Sequence, residues 1–68
     1  MLIKLTNIKD QAILIGIESI IDVKEHILKP YTGETIFCTK IYSRGAMVET
    51  NYVMESVEEI WEMVQSQK

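Results

Sequence analysis

Residues 52–64 read YVMESVEEIWEMV, a stretch in which a strand turns directly into a capped helix. Ser56 and Glu59 have the spacing of a capping box, in which the serine hydroxyl accepts a hydrogen bond from the glutamate amide and the glutamate side chain reaches back. The next apolar residues recur with the period of one helical face: Val57, Ile60, Trp61 and Val64. Glutamates near the start and Lys68 at the end suit the helix dipole. The stretch predicts a C-terminal amphipathic helix.

Upstream of this helix the chain has the pattern of short strands. Apolar and β-branched residues predict five strands, at about residues 1–6, 11–15, 19–27, 35–42 and 46–54. Turn-forming residues separate them at 7–10, 29–33 and 43–45. Since no linker or repeat divides the sequence, residues 1–68 are expected to form a single domain. The predicted fold class is α+β, with a small antiparallel β-sheet or partly open barrel of about five strands and one C-terminal amphipathic helix.

The length and composition indicate a domain that associates with itself. A chain of 68 residues buries only about 60% of the surface that its unfolded form exposes. A disulfide framework within the chain is excluded because Cys38 is the only cysteine, and Cys38 and His26 are too few ligands for a structural zinc site. Hydrophobic residues make up 47% of this small chain, so some of them are expected at the subunit interface of a homo-oligomer.

The charge distribution and the hydropathy pattern limit the partners. Residues 1–54 carry six basic and six acidic side chains, so the net charge of −3 comes from the glutamates of the C-terminal segment. Without a basic stripe, the chain is not expected to bind duplex nucleic acid, because that affinity depends on neutralised phosphates. Without about 18 consecutive apolar residues, it is not expected to insert into a membrane. The free thiol favours a reducing cytoplasm, either of a bacterium or of an infected host cell.

Two segments of the chain are similar to a known family. Residues 1–6 read MLIKLT and residues 53–60 read VMESVEEI. They resemble the first strand and the closing strand-to-helix segment of the small flagellar FlbD family, called SwrD in some bacteria. Leu14, Ile20 and Val23 lie about where that family has its intermediate apolar positions, whereas the middle of this chain takes a longer route. The resemblance implies a similar fold, action through protein contacts, and no catalytic or cofactor residues. Similar short proteins also occur in phages of Bacteroidetes, and a phage origin implies an accessory or anti-defence role.

Few residues have the chemistry or the spacing of a catalytic or metal site. Cys38 and His26 are the only pair that can supply a nucleophile and a base, but Cys38 lies in mid-strand, where a cysteine ordinarily acts as a small buried hydrophobe. Four carboxylates follow helical spacing, which favours a solvated helix face over a cation site: Glu55, Glu58, Glu59 and Glu62. The isolated glycines form no phosphate-binding loop. We therefore expect no enzymatic activity, no cofactor and no metal.

One group of residues favours a small-ligand site. Lys40, Tyr42 and Arg44 provide two cations and an aromatic ring on a predicted projecting hairpin, and arginine binds phosphate in a planar, two-pronged geometry. His26 is a fourth candidate, and in an oligomer symmetry is expected to bring copies of this turn together or to place them opposite a neighbouring subunit's Tyr31, Tyr52 or His26. The alternative is a polar turn in which Arg44 is solvated and binds nothing.

The apolar stripe of the helix is the predicted interface, formed by Val57, Ile60, Trp61 and Val64. Two function classes remain open from the sequence. The first is a non-enzymatic, homo-oligomeric binding or assembly module that acts through protein contacts. The second is a phage-encoded anti-defence protein that sequesters a nucleotide immune signal in pockets between subunits.

Overall fold

The computed structural model describes residues 1–67, which form five strands and one α-helix. In chain order the elements are β1 (Leu2–Thr6), β2 (Ala12–Gly16), a 3-10 turn (Ile17–Ser19), β3 (Ile20–Leu28), β4 (Ile36–Arg44), β5 (Val48–Val53) and α1 (Val57–Ser66). Every strand pairing is antiparallel, with β1 and β2 in one sheet and β3, β4 and β5 in a second, and the sheets do not close into a barrel. The predicted α+β class is confirmed. Lys68, which the sequence places at the helix C-terminus, lies outside the described residues.

A tight turn joins β1 to β2 where the sequence predicts one. The side-chain oxygen of Asn7 accepts hydrogen bonds from the backbone N–H groups of Lys9 and Gln11, both at 2.9 Å. Asp10 has a φ of 63°, a left-handed conformation that a short polar side chain tolerates. These bonds satisfy the backbone of the turn and bring β1 and β2 into a hairpin.

The hydrophobic core lies between the two sheets and one face of α1. It consists of buried side chains from four strands and the helix: Ile3, Leu5, Ile15, Ile41, Val53 and Ile60. Leu5, Ile41 and Val53 are the largest fully buried side chains among the described residues. Burying a side chain of this size contributes about 1.5–3 kcal/mol, so this small group is the main source of stability.

The predicted capping box starts α1. The Glu59 N–H donates to Ser56 Oγ at 3.0 Å, and the Ser56 N–H donates to Glu59 Oε1 at 3.2 Å. Of the predicted helical stripe, Ile60 is buried in the core, whereas Trp61 is 61% exposed. The stripe therefore divides into residues that complete the core and residues that remain at the surface.

The segment before α1 ties the two sheets together. The Met54 N–H donates to the Thr6 carbonyl at 2.8 Å, and the Glu55 carboxylate accepts from the Thr6 N–H at 2.8 Å. The Thr39 hydroxyl donates to the Glu55 carbonyl at 2.6 Å. Glu55 is therefore a half-buried residue that precedes the helix, and the prediction that it belongs to a solvated helix face is wrong.

The turn between β4 and β5 comes later than the sequence predicts. Ser43, the predicted first turn residue, is buried and pairs with Ile20 on one side and Glu49 on the other. Pairing with two neighbouring strands outweighs the local turn preference, so β4 continues to Arg44, which pairs with Val48. The hairpin that projects beyond the core is β3–β4 rather than the predicted β4–β5, because β3 and β4 have nine residues each, β5 has six, and Ile27 and Phe37 are left exposed.

Candidate functional site

The three-stranded sheet has an outer face that carries cations and aromatic rings. Alternate residues of β4 are buried on the inner face, so Lys40 and Tyr42 lie on the outer face. The register places Lys24 of β3 and Tyr52 of β5 directly opposite Lys40, on its two sides. His26 follows Lys24 on the outer side of β3. We call these five side chains the cation–aromatic face.

The members of the cation–aromatic face lie close together in two neighbouring groups, Lys24 and Lys40 around Tyr42, and His26 beside Tyr52. The Nζ atom of Lys40 lies 4.8 Å from the centroid of the Tyr42 ring, and the Nζ atom of Lys24 lies 5.9 Å from it. The rings of His26 and Tyr52 have centroids 5.2 Å apart at an interplanar angle of 36°. Both distances to the Tyr42 ring are within the range of cation–π attraction.

Electrostatics keep this face positively charged at neutral pH. The interaction with the Tyr42 side chain raises the pKa of Lys40 above its ordinary value, so Lys40 remains protonated. Lys24 forms an ion pair with Asp22, with Nζ 3.1 Å from Oδ2. Since both partners are about half exposed, this pair is weak and neutralises one of the two lysines incompletely.

The structure places the four predicted ligand residues on one sheet and brings three of them into one cluster. His26, Lys40 and Tyr42 belong to the cation–aromatic face. Arg44 is exposed at the end of β4, two residues beyond Tyr42 and on the same side of the strand by alternation. Arg44 also borders a groove of about 220 Å³ between β2 and the β4–β5 hairpin. Polar residues of this groove include Ser43, Glu49 and Asn51.

Sequence reasoning missed Lys24 and assigned Tyr52 only to a neighbouring subunit. Both belong to the same chain as Lys40 and lie opposite it. The alternation of polar and apolar residues along a strand predicts which side chains share one face of that strand. It does not predict the register, that is, which residues of two paired strands lie opposite each other. That register includes an irregularity between Ile20 and Asp22, which no local motif indicates.

The cysteine that the sequence offers as a nucleophile is buried, and the pKa of its thiol is raised. Cys38 pairs with His26 across β3 and β4, so the structure brings together the two residues considered for catalysis. Cys38 is 8% exposed, and burial raises the pKa of its thiol. Because a thiolate is the reacting form, a raised pKa works against nucleophilic chemistry. Within residues 1–67, no group of three His, Cys, Asp or Glu side chains is placed to hold a metal ion.

A second surface is apolar and follows the inner side of β3 past the start of α1. One groove, of about 670 Å³, is bordered by Phe37 and Val57, and a second, of about 400 Å³, by Val57 and Trp61. Phe37 is 72% exposed and Trp61 61% exposed. Because Val57 borders both grooves, they form one surface, which we call the apolar strip: Ile21, Ile27, Phe37, Met54, Val57 and Trp61.

The apolar strip exists because the helix is shorter than the hairpin beneath it. The ten residues of α1 span about 15 Å, whereas the nine residues of β3 span about 30 Å. The helix packs along residues 20–23 of β3, whereas Val57 alone of the described helix residues borders the groove at Ile27 and Phe37. All four predicted interface residues border the smaller groove of the strip. Ile60 is buried in the core and Val64 packs against it, whereas Trp61 is mostly exposed.

No family model, curated protein or solved structure matches the chain. Among residues 1–67, no helix combines the length and the apolar character needed to cross a bilayer. The cation–aromatic face and the apolar strip are the two features that support a functional inference.

Proposed function

We propose that the chain is a non-enzymatic, homo-oligomeric assembly module that acts through protein contacts. The observation that carries this proposal is the apolar strip, on which Phe37 and Trp61 are mostly exposed. A large apolar patch on a small domain is typical of a contact site between proteins. The resemblance to the flagellar FlbD family supports the same class of function, and a role in flagellar assembly is its specific form.

The surface area of the chain supports association with a second copy. Its accessible surface is 5177 Å², whereas a compact monomer of 7.9 kDa has about 4,400 Å². The excess of about 750 Å² is close to the roughly 800 Å² that each partner buries in an interface of standard size. The radius of gyration of 12.2 Å also exceeds the roughly 11 Å of a compact domain of this length.

The two-fold pairing of identical strips is the simplest arrangement that buries this excess. In such a pairing each copy presents the same patch, so the exposed side chains of Phe37 and Trp61 are covered, while Glu25 and Asp22 lie at the borders of the two grooves. Pairing through the free edge of β3 is less favourable, because charged residues lie along or next to that edge strand: Asp22, Lys24, Glu25 and Lys29. The proposed contact therefore uses the side chains of the strip.

Sedimentation over a range of protein concentrations tests this proposal. We expect the parent to have a mass above 7.9 kDa that rises with concentration. Phe37→Lys should shift it towards the monomer, because burying an unpaired charge at the contact is costly. Leu14→Lys is the matched control, since Leu14 is 64% exposed but lies outside the strip. A parent that remains monomeric at every concentration contradicts the proposal.

A second candidate function is sequestration of a nucleotide immune signal by a phage-encoded protein, in pockets between subunits. The observation that favours it is the placement of the Lys40 ammonium group 4.8 Å from the Tyr42 ring, which puts a cation and a stacking surface together. Native mass spectrometry of freshly purified protein tests it, because subunit number and retained small ligands are measured together. A spectrum of protein free of added mass, combined with no nucleotide binding on titration, contradicts it.

A further inference from the structure

We infer that the cation–aromatic face binds a small nucleotide, with the phosphate between Lys24 and Lys40 and the base on the adjoining aromatic rings. This inference deepens the second candidate function by assigning its site to one subunit. It does not require the exposed apolar side chains of the apolar strip, although one member of the face, His26, also borders the larger groove of that strip.

The pairing of Lys24 with Lys40 is the observation that points to an anion. The two residues are directly opposite each other in the β3–β4 register. Side chains at such positions have Cβ atoms about 4.5–5.5 Å apart, and like charges there are destabilising. The Asp22 carboxylate is paired with Lys24, so the charge of Lys40 is left without a carboxylate partner among the ion pairs of the described residues. A phosphate oxygen between the two ammonium groups removes this repulsion and accepts charge-assisted hydrogen bonds.

The aromatic residues supply the second half of the site. Tyr52 is directly opposite Lys40 on β5, and its ring packs against His26 on the other side. Tyr42 lies two residues along β4 from Lys40, with both ammonium groups near its ring. A base attached to a phosphate at the two lysines therefore has a ring within reach, and stacking of a base on an aromatic side chain contributes about 1–3 kcal/mol.

The dimensions and charge of the face select a small nucleotide over a nucleic-acid strand. Three strands at a spacing of about 4.8 Å give a platform about 10 Å wide, which matches one nucleotide. A strand of many phosphates requires a longer basic track, whereas the whole chain has a net charge of −3 and α1 carries several glutamates. The site therefore offers one phosphate contact together with one stacking contact.

Calorimetric titration of the full chain with AMP, cyclic AMP, inorganic phosphate and a decathymidylate tests this inference. We expect AMP or cyclic AMP to bind, and Lys24→Met and Lys40→Met each to weaken that binding about tenfold or more. Tyr52→Leu should weaken nucleotide binding and leave phosphate binding unchanged, because it removes only the stacking surface. Lys9→Met is the matched control, since Lys9 is exposed in the β1–β2 turn.

Three outcomes overturn the inference: no nucleotide binds to the parent, Lys9→Met weakens binding as much as Lys40→Met, or only the decathymidylate binds. Circular dichroism of each variant establishes that the fold is retained. Titration of Phe37→Lys separates this site from the proposed self-association. Nucleotide binding that persists in a monomeric Phe37→Lys variant supports a site within one subunit, whereas failure to bind in a fully associated parent overturns the site and leaves the assembly function standing.

Discussion

Both halves of the β3–β4 hairpin place apolar side chains on the inner face of the sheet. In one half these side chains are covered by other elements, and in the other half they are exposed. In the half near β5, Val23 packs against the core and Ile41 is fully buried. In the half near the 29–35 loop, Ile27 is 49% exposed and Phe37 is 72% exposed. The difference lies in what covers them, because α1 and the β1–β2 hairpin extend over the first half alone. Alternation thus determines which side chains share a face, while the lengths of the packed elements determine which of them are buried.

The largest predicted effect comes from testing the two halves with the same kind of truncation. Ile41→Ala should lower the free energy of unfolding by about 2–5 kcal/mol, because it leaves a cavity in a core of few side chains. Phe37→Ala, on the same face of the same strand, should change the stability of the monomer by no more than about 0.5 kcal/mol. Urea unfolding at the lowest practical protein concentration measures both. Equal losses contradict the assignment of Phe37 to an uncovered surface.

A smaller effect is expected at the boundary between the two halves, where α1 begins. Ser56→Ala should destabilise the domain by about 1 kcal/mol, because it removes the hydroxyl that accepts from the Glu59 N–H at 3.0 Å. Fraying of the first helical turn also loosens Val57, which borders both grooves of the apolar strip. Glu62→Gln is the control, since Glu62 is exposed and lies beyond both the capping box and the first turn of the helix. Equal urea midpoints for Ser56→Ala and the parent would contradict the prediction that the capping box stabilises the domain.

The same contrast explains how much of the molecule can be predicted from its sequence. The helix and the first turn depend on contacts within a few residues, so Ser56 with Glu59 and Asn7 with Gln11 are sufficient to predict them. The late turn after β4 depends on partners distant in the chain, and Ser43 is buried by that pairing despite its local turn preference.

The candidate site has the same limit. Lys40 and Tyr42 are close in sequence, and their contact follows from strand alternation. Lys24 and Tyr52 join them through the register of two long-range pairings, one of which contains an irregularity. The apolar strip could not be predicted for a different reason. Phe37 is exposed because the described part of α1 reaches its groove only at Val57, and no feature of the segment around Phe37 indicates this.

The smallest effect on stability is expected for Arg44, which lies beside the covered half of the hairpin but on the face turned away from the core. Arg44→Ala should change the melting temperature and the subunit number very little, because Arg44 is exposed and surface substitutions usually cost no more than about 0.5 kcal/mol. The sequence-based hypothesis that Arg44 binds the phosphate predicts that Arg44→Ala nevertheless abolishes binding of a phosphorylated ligand, since a guanidinium group binds phosphate through two parallel hydrogen bonds. The site inferred between Lys24 and Lys40 predicts instead that binding is retained.

Thermal-shift measurements of the parent and Arg44→Ala with a panel of linear and cyclic nucleotides decide the role of Arg44. Stabilisation of the parent alone places Arg44 within reach of the phosphate, as an extension of the cation–aromatic face past Tyr42. Equal stabilisation of both proteins restricts the site to that face, and Lys24→Met then becomes the more sensitive variant, because Lys24 is directly opposite Lys40 whereas Arg44 is at the strand end. If no nucleotide raises the melting temperature of the parent, Arg44 is a solvated residue beside a turn, and the contact surface of the uncovered half becomes the functional feature of the hairpin.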